Sequence, residues 1–184
     1  MDYIFSSANP RIELIYFVIA VILALLAGVV TEYCRRQGRM SKAQSIAVIL
    51  LTAYIFLVFA STVFSRTSNE YYSYELIPFW SYWEILNGSK SLFWEDVLNV
   101  IMLFPMGILL PIMMEDDAGN KGFRRAILIG FLTSLTIELL QLVTKRGLFE
   151  FDDMFHNTLG VAIGYRLYWK IGKNRVDDGK KKET

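Results

Sequence analysis

The sequence predicts an all-α, polytopic membrane bundle, and three observations carry that prediction. The 184 residues are 54% hydrophobic and 15% aromatic with mean hydropathy +0.36, too apolar for a soluble domain of this size. Five apolar segments reach the roughly 18 to 20 residues needed to cross a hydrocarbon core of about 30 Å. The basic residues alternate between the links that join them, as the positive-inside rule requires.

The five spans are expected at Ile12–Val30, Ile46–Phe64, Val97–Met114, Ala126–Val143 and Met154–Ile171. The first is too long for a signal-peptide core and lacks a cleavage signature, so it is expected to stay as an anchor. The last carries Arg166 and Lys170, which must snorkel toward a headgroup region. Arg35, Arg36, Arg39 and Lys42 fill the first link, Lys121, Arg124 and Arg125 the third, and Lys173, Arg175 and Lys180–Lys182 the tail. The other side receives only Arg11, Arg66, Lys90, Lys145 and Arg146. The N-terminus is therefore expected outside and the C-terminus inside. Cys34, the one cysteine, permits neither an intramolecular disulfide nor a cysteine metal cluster.

Three regions follow: an N-terminal two-helix scaffold over 1–72, a membrane domain over 73–172 and a charged cytoplasmic tail over 173–184. The first two spans are near-continuous apolar runs with little chemistry. The link from Ser65 to Leu92 is rich in Tyr, Trp and Phe, which favour a membrane interface. Pro78 stops a helix there, so ELIPFW is expected as a short re-entrant or surface-lying element. Pro105 and Gly107 should bend or loosen the third span.

The chemistry concentrates between Ser134 and Gly164. On a helix Ser134, Glu138, Gln141 and Lys145 follow i, i+4, i+7, i+11 and form one polar stripe. Asp153, Asn157, Gly160 and Gly164 repeat that spacing, placing an acid, an amide and a GxxxG seam on one face. Asn99 lies near the start of a span that enters from outside, Glu138 and Gln141 near the end of one that leaves, and Asp152, Asp153 and Asn157 at the start of the next. All six are expected at similar outer-leaflet depth. An ionisable group there costs several kcal/mol unless paired or hydrated, which makes Glu138 the leading functional candidate. Arg146 is the expected counter-charge, its planar fork suited to a carboxylate or an incoming phosphate.

Two readings of these residues stay open. One is a salt-bridged hairpin locking the last two spans together. The other is a site, with Asn99, Glu138, Gln141, Arg146, Asp152, Asp153 and Asn157 binding a ligand, or with Glu138, Asp152 or Asp153 as a general base. His156 could complete a metal site with Glu138 and Asp153, but packing is the preferred role. No metal or cofactor is predicted.

With these motifs in place, the chain resembles the VanZ-like family of bacterial membrane proteins over roughly Leu76 to Tyr165. The resemblance rests on LIPF at Leu76–Phe79, on N-x5-P-x-G through Asn99, Pro105 and Gly107, and on IELLQ at Ile137–Gln141. It continues through T-x-R-G at Thr144–Gly147, the pair Asp152–Asp153, and NTLG-x3-G from Asn157 to Gly164. His156 stands where the family pattern has an apolar residue. The resemblance implies a multi-pass protein of the bacterial cytoplasmic membrane that confers low-level teicoplanin resistance in the cell envelope. It implies an outer-leaflet polar pocket for membrane lipid, a lipid-linked cell-wall precursor or the lipoglycopeptide itself; a membrane-embedded enzyme acting on a lipid-linked or headgroup substrate, with Glu138 and Asp153 as acid-base residues, is the alternative. No nucleic-acid partner is expected. Gly160 and Gly164 can as easily pack within the protomer as form a homo-oligomer.

Overall fold

The computed structural model describes residues 14–115 and 119–182, with side chains described as far as residue 172. Ile12, Arg11 and the side chains of the basic tail lie outside the described residues. The chain runs α1 (Leu14–Arg36), α2 (Lys42–Phe59) with a π-helical turn at Ala60–Phe64, β1 (Ser73–Glu75) and α3 (Trp80–Leu86). It continues through α4 (Lys90–Met114), α5 (Asn120–Thr144), β2 (Leu148–Glu150) and α6 (Phe151–Lys182). Four helical segments, Leu14–Arg36, Lys42–Phe64, Lys90–Met114 and Asn120–Thr144, are long and apolar enough to cross a membrane. The bundle is all-α and polytopic, as predicted.

Local signals set the helix ends. Ser41 caps α2 in a reciprocal capping box with Gln44, satisfying two otherwise orphaned N–H groups. The α5 helix stops where Lys145 turns left-handed at φ 56°, its N–H returning to the last turn. Arg35 and Arg36 both pair with Glu32 at the end of α1. Pro105 and Pro111 both lie inside α4, which remains helical through them.

The fifth long helix, α6, owes its polar content to its place. It lies against α4 and α5, and Val161 and Tyr165 on it are buried with Leu103, Met106, Leu110, Ala126 and Ile137 in the core. Three glycines let α4 and α6 meet backbone to backbone. A Cβ at Gly160 would fall on the carbonyl oxygen of Val100, one at Gly164 on that of Phe104, and one at Gly107 on that of Val161. The small-residue seam is thus closed inside the chain, against α4. Of the two packings the spacing allows, within the protomer or against a second copy, these contacts are the first. On α1, by contrast, Leu14, Leu25, Leu26 and Val29 are exposed, the surface expected of a helix facing lipid.

The helices alternate in direction. One end of the bundle gathers the last turns of α2 and α5 with the first turns of α4 and α6. It also carries the connection 73–86, which forms a strap over that end. Gln44 Nε2 bonding the carbonyl of Met113 at 3.2 Å ties the opposite end.

Candidate functional site

β1 pairs in parallel with β2, Ser73 opposite Leu148 and Glu75 opposite Glu150, so two short segments far apart in sequence meet at the mouth of the bundle. Pro78 ends the extended stretch, Phe79 takes a left-handed φ of 63°, and α3 begins at Trp80. Asp152, buried in the first turn of α6, holds this geometry. Its Oδ1 accepts from the Phe79 N–H at 2.5 Å, and its Oδ2 from the Ser81 N–H at 3.0 Å and the Ser81 hydroxyl at 2.9 Å. Hydrogen bonds to a carboxylate are among the stronger ones. The predicted re-entrant or surface-lying element is therefore a pinned strap, and Asp152, expected among the ligand and acid-base residues, is its pin.

His156 belongs to the same layer. It is buried, its Nε2 lies 2.9 Å from the Tyr82 hydroxyl, and the two rings stack at 5.6 Å. Burial, then the charges of Asp96 and Asp152, push the Tyr82 phenol up. On the other side of the ring, His156 Nδ1 lies 3.5 Å from Asp96 Oδ1. His156 therefore joins Tyr82 and Asp96. Among the described residues no group of three or more His, Cys, Asp or Glu is arranged to hold a metal.

The neighbouring acid, Asp153, faces a different company. Its Oδ1 accepts from Asn99 Nδ2 at 2.5 Å, which ties α4 to α6. Glu138, buried on α5, accepts the Glu150 N–H on Oε2 at 3.0 Å. The charges of Glu138, Glu150 and Glu95 all act on Asp153. Glu150, at the end of β2, also accepts from Trp80 Nε1 at 3.1 Å. Its carboxyl is pushed up to about 8, first by burial and then by Glu95 and Glu138, with the Trp80 bond opposing. Four carboxyl groups from α4, α5, β2 and α6 therefore share one electrostatic neighbourhood.

The cation of that neighbourhood is Arg66, not Arg146. Arg66 acts on Glu95, Glu138 and Asp153, and its Nε is buried without a hydrogen-bond partner. Arg146 turns away from the acids, and its Nη1 donates to the carbonyl of Phe64 at 3.2 Å. This corrects the expected counter-charge. The chain leaves α5 through a left-handed residue, and that turn carries the Arg146 side chain toward the last turn of α2. Lys145 likewise leaves the polar stripe: its Nζ donates to the Glu70 carbonyl at 3.0 Å and lies 4.7 Å from the Tyr72 ring centre. Gln141 and Asn157, expected to touch ligand, tie helices together. Gln141 Nε2 donates to the Thr62 carbonyl at 3.1 Å and Asn157 Nδ2 to Ser134 Oγ at 2.9 Å, while Asn157 Oδ1 is buried without a partner.

Sequence reasoning singled out neither Arg66, Glu95 nor Glu150. Glu95 could have been found, because it lies four residues before Asn99 and so shares its helical face. Arg66 follows the second span directly, at the depth of the other polar groups. Glu150 had no such signal; only the β1–β2 pairing brings it in.

A sequence model of the VanZ/LLP1 family matches residues 45–172. The chain belongs to the VanZ/LLP1 family. Among curated proteins it is similar to "Protein VanZ" of Enterococcus faecium, with 30% identity over 82 residues, 45% of this chain and 48% of that protein. The chain thus spans about half the length of the curated relative it matches. No solved structure matches it.

The motifs that carried the VanZ-like resemblance have structural reasons here. LIPF is the strap, and N-x5-P-x-G places Asn99 on Asp153 and Gly107 against Val161. In T-x-R-G, a Cβ at Gly147 would lie 3.0 Å from Arg66 Nη1 and from the Gln141 amide, so the glycine leaves room for both side chains. The glycine admits the guanidinium that serves the acids. The family match begins at Ser45, so it takes in α2 and Arg66 as well.

Proposed function

We propose that this chain is a multi-pass protein of the bacterial cytoplasmic membrane, with its N-terminus and strap end outside and its C-terminus inside. At that outer end the acid cluster and Arg66 bind the polar head of a membrane lipid, a lipid-linked cell-wall precursor or a lipoglycopeptide, and so confer low-level teicoplanin resistance. The observation that carries this reading is the gathering of Glu95, Glu138, Glu150 and Asp153 about Arg66. Membership of the VanZ/LLP1 family and the basic residues of the opposite links support it. Carboxyls in surplus over cations, some holding protons near neutrality, offer hydrogen-bond donors and acceptors together, which suits hydroxyl-rich or amine-bearing heads.

A second reading is kept alive by one observation. A carboxyl raised to about 8, as Glu150 is, sits near the value at which a general acid operates at neutral pH. A membrane-embedded enzyme acting on a lipid-linked or headgroup substrate would use Glu150 together with Glu138 and Asp153 as its acid-base residues.

The test is growth of a susceptible Gram-positive host under teicoplanin and under vancomycin. Wild type is compared with Glu138→Gln, Asp153→Asn and Arg66→Gln at matched membrane levels. Selective protection against teicoplanin that these near-isosteric changes abolish is the expected result. Protection that survives all three makes the cluster structural, and absence of protection by wild type overturns the resistance reading.

A further inference from the structure

An apolar groove runs along α2 outside the polar cluster. It is lined by Val48, Leu51, Ile55, Phe56, Phe59 and Phe64, with Met113 of α4 at its far end, and its volume is about 510 Å³. Val48 to Phe64 is on the order of 20 Å along the helix at about 1.5 Å per residue. One leaflet offers only about 15 Å, half of a 30 Å core. A phospholipid acyl chain entering at Phe64 would therefore stop about two-thirds of the way along the groove, short of Val48.

Guanidinium groups mark the groove's head. Arg146 donates to the carbonyl of Phe64, the lining residue nearest the strap end, and spends one of its five N–H donors there. Arg66 follows Phe64 by two residues, and its Nη1 packs against Gly147, next to Arg146 in the chain. Its Nε is buried and unpartnered. Two planar, permanently charged forks with donors to spare, beside an apolar track, are complementary to an anionic oxygen cluster on a long hydrocarbon chain. Glu150, raised to about 8, is largely neutral at pH 7 and so reduces the repulsion that the acids would exert on such an anion.

We infer that the α2 groove and the Arg66–Arg146 pair at its head form a binding site for a long-chain isoprenoid phosphate, its chain lying along α2 and its phosphate on the two guanidiniums. The inference rests on the headgroup reading of the strap end and narrows it to one class of lipid. Specificity comes from both parts: length excludes ordinary phospholipid chains from the inner end of the groove, and the forks reject uncharged long-chain alcohols.

The purified full chain in detergent is titrated with undecaprenyl phosphate, undecaprenol and phosphatidylglycerol, with binding followed by native mass spectrometry. Wild type is expected to bind undecaprenyl phosphate at least about tenfold tighter than undecaprenol, the value of one charge-assisted contact, and tighter than phosphatidylglycerol, whose chains do not reach the inner end of the groove. Arg146→Gln should lose about that factor, while Thr52→Trp, which fills a lipid-facing part of the groove, should reduce undecaprenyl phosphate binding and spare phosphatidylglycerol. Val48→Phe serves as a second filling variant should Thr52→Trp fail to give a monodisperse protein. Equal binding of undecaprenyl phosphate and phosphatidylglycerol, or binding that neither filling variant changes, overturns the inference. The growth test separates its failure from that of the resistance reading. Teicoplanin protection without selective isoprenoid binding rejects the groove site alone, and selective binding without protection rejects the resistance role alone.

Discussion

Asp152 and Asp153 are consecutive in sequence, yet they open onto two regions with opposite electrostatic economies. On the Asp152 side, three donors from the strap answer one carboxylate, and His156, Tyr82 and Asp96 form a continuous polar layer. On the Asp153 side, acids from four elements meet one half-buried guanidinium whose Nε has no partner. A helix turns adjacent residues by about 100°, so one position decides which region a carboxylate serves. The first region is built to hold shape. The second retains unmatched charge, which folding alone does not require and a ligand could use.

The sharpest way to break the contrast is Asp152→Ala. It removes the acceptor for two strap N–H groups and a hydroxyl at a buried position, and the expected loss is about 3 to 5 kcal/mol, as for uncoupling a buried charged partner. Thermal unfolding in detergent measures it, and protease cleavage within 73–86 should appear at temperatures where wild type resists. Asp153→Asn, one residue on, keeps an acceptor for Asn99 and relieves like-charge repulsion, so its melting temperature should stay near wild type. Equal destabilisation by the two changes would erase the distinction between the regions.

Next in size is the seam that holds both regions in register. Gly160→Ala drives a methyl group into the Val100 carbonyl, and a backbone atom cannot swing aside as a side chain can. An overpacking cost of about 1 to 3 kcal/mol is expected. Gly172→Ala is the control, because nothing lies within 4 Å of a Cβ there. A destabilised Gly160→Ala with a stable Gly172→Ala is the expected pair of melting curves.

The third prediction concerns pH. Folded Glu150 titrates at about 8 against an ordinary value of 4.5, so between those values the folded chain holds a proton that the unfolded chain has released. Stability therefore falls as pH rises from about 4.5 toward 8, and this contribution is fully present below that window. Glu150→Gln, which mimics the neutral form, should flatten the dependence and match wild type best at low pH. Melting temperatures across that range decide it, and an unchanged slope in the variant would remove Glu150 from the acid cluster.

The same two regions explain what the sequence could convey. Four apolar helices long enough to cross a membrane, and the gathering of Asn99, Glu138 and Asp153 at one end of the bundle, were legible, because apolar run length and helical spacing are local properties. The fifth expected span, Met154–Ile171, lies in α6, which is not among those four. The partition of roles was not legible. That Asp152 pins the strap depends on a left-handed Phe79 and on donors some seventy residues away. That Arg66 displaces Arg146 depends on the chain's exit from α5 at Lys145 and on the space beside Gly147. Both follow from non-local packing, which spacing alone does not encode.

The smallest expected effect tests the shape-holding region from within. His156 makes one side-chain hydrogen bond, to Tyr82, and otherwise packs among aromatic rings, so His156→Phe should be tolerated. The change forfeits the Tyr82 hydrogen bond, but Tyr82 is 42% exposed and water can take its hydroxyl. The cost should not exceed about 1 kcal/mol, the net value of one ordinary hydrogen bond. A phenyl ring preserves the edge contact with Phe155 and the stack on Tyr82. A loss near that of Asp152→Ala would instead show that the strap is held by the histidine layer as much as by the aspartate, and the pin would have to be shared between them.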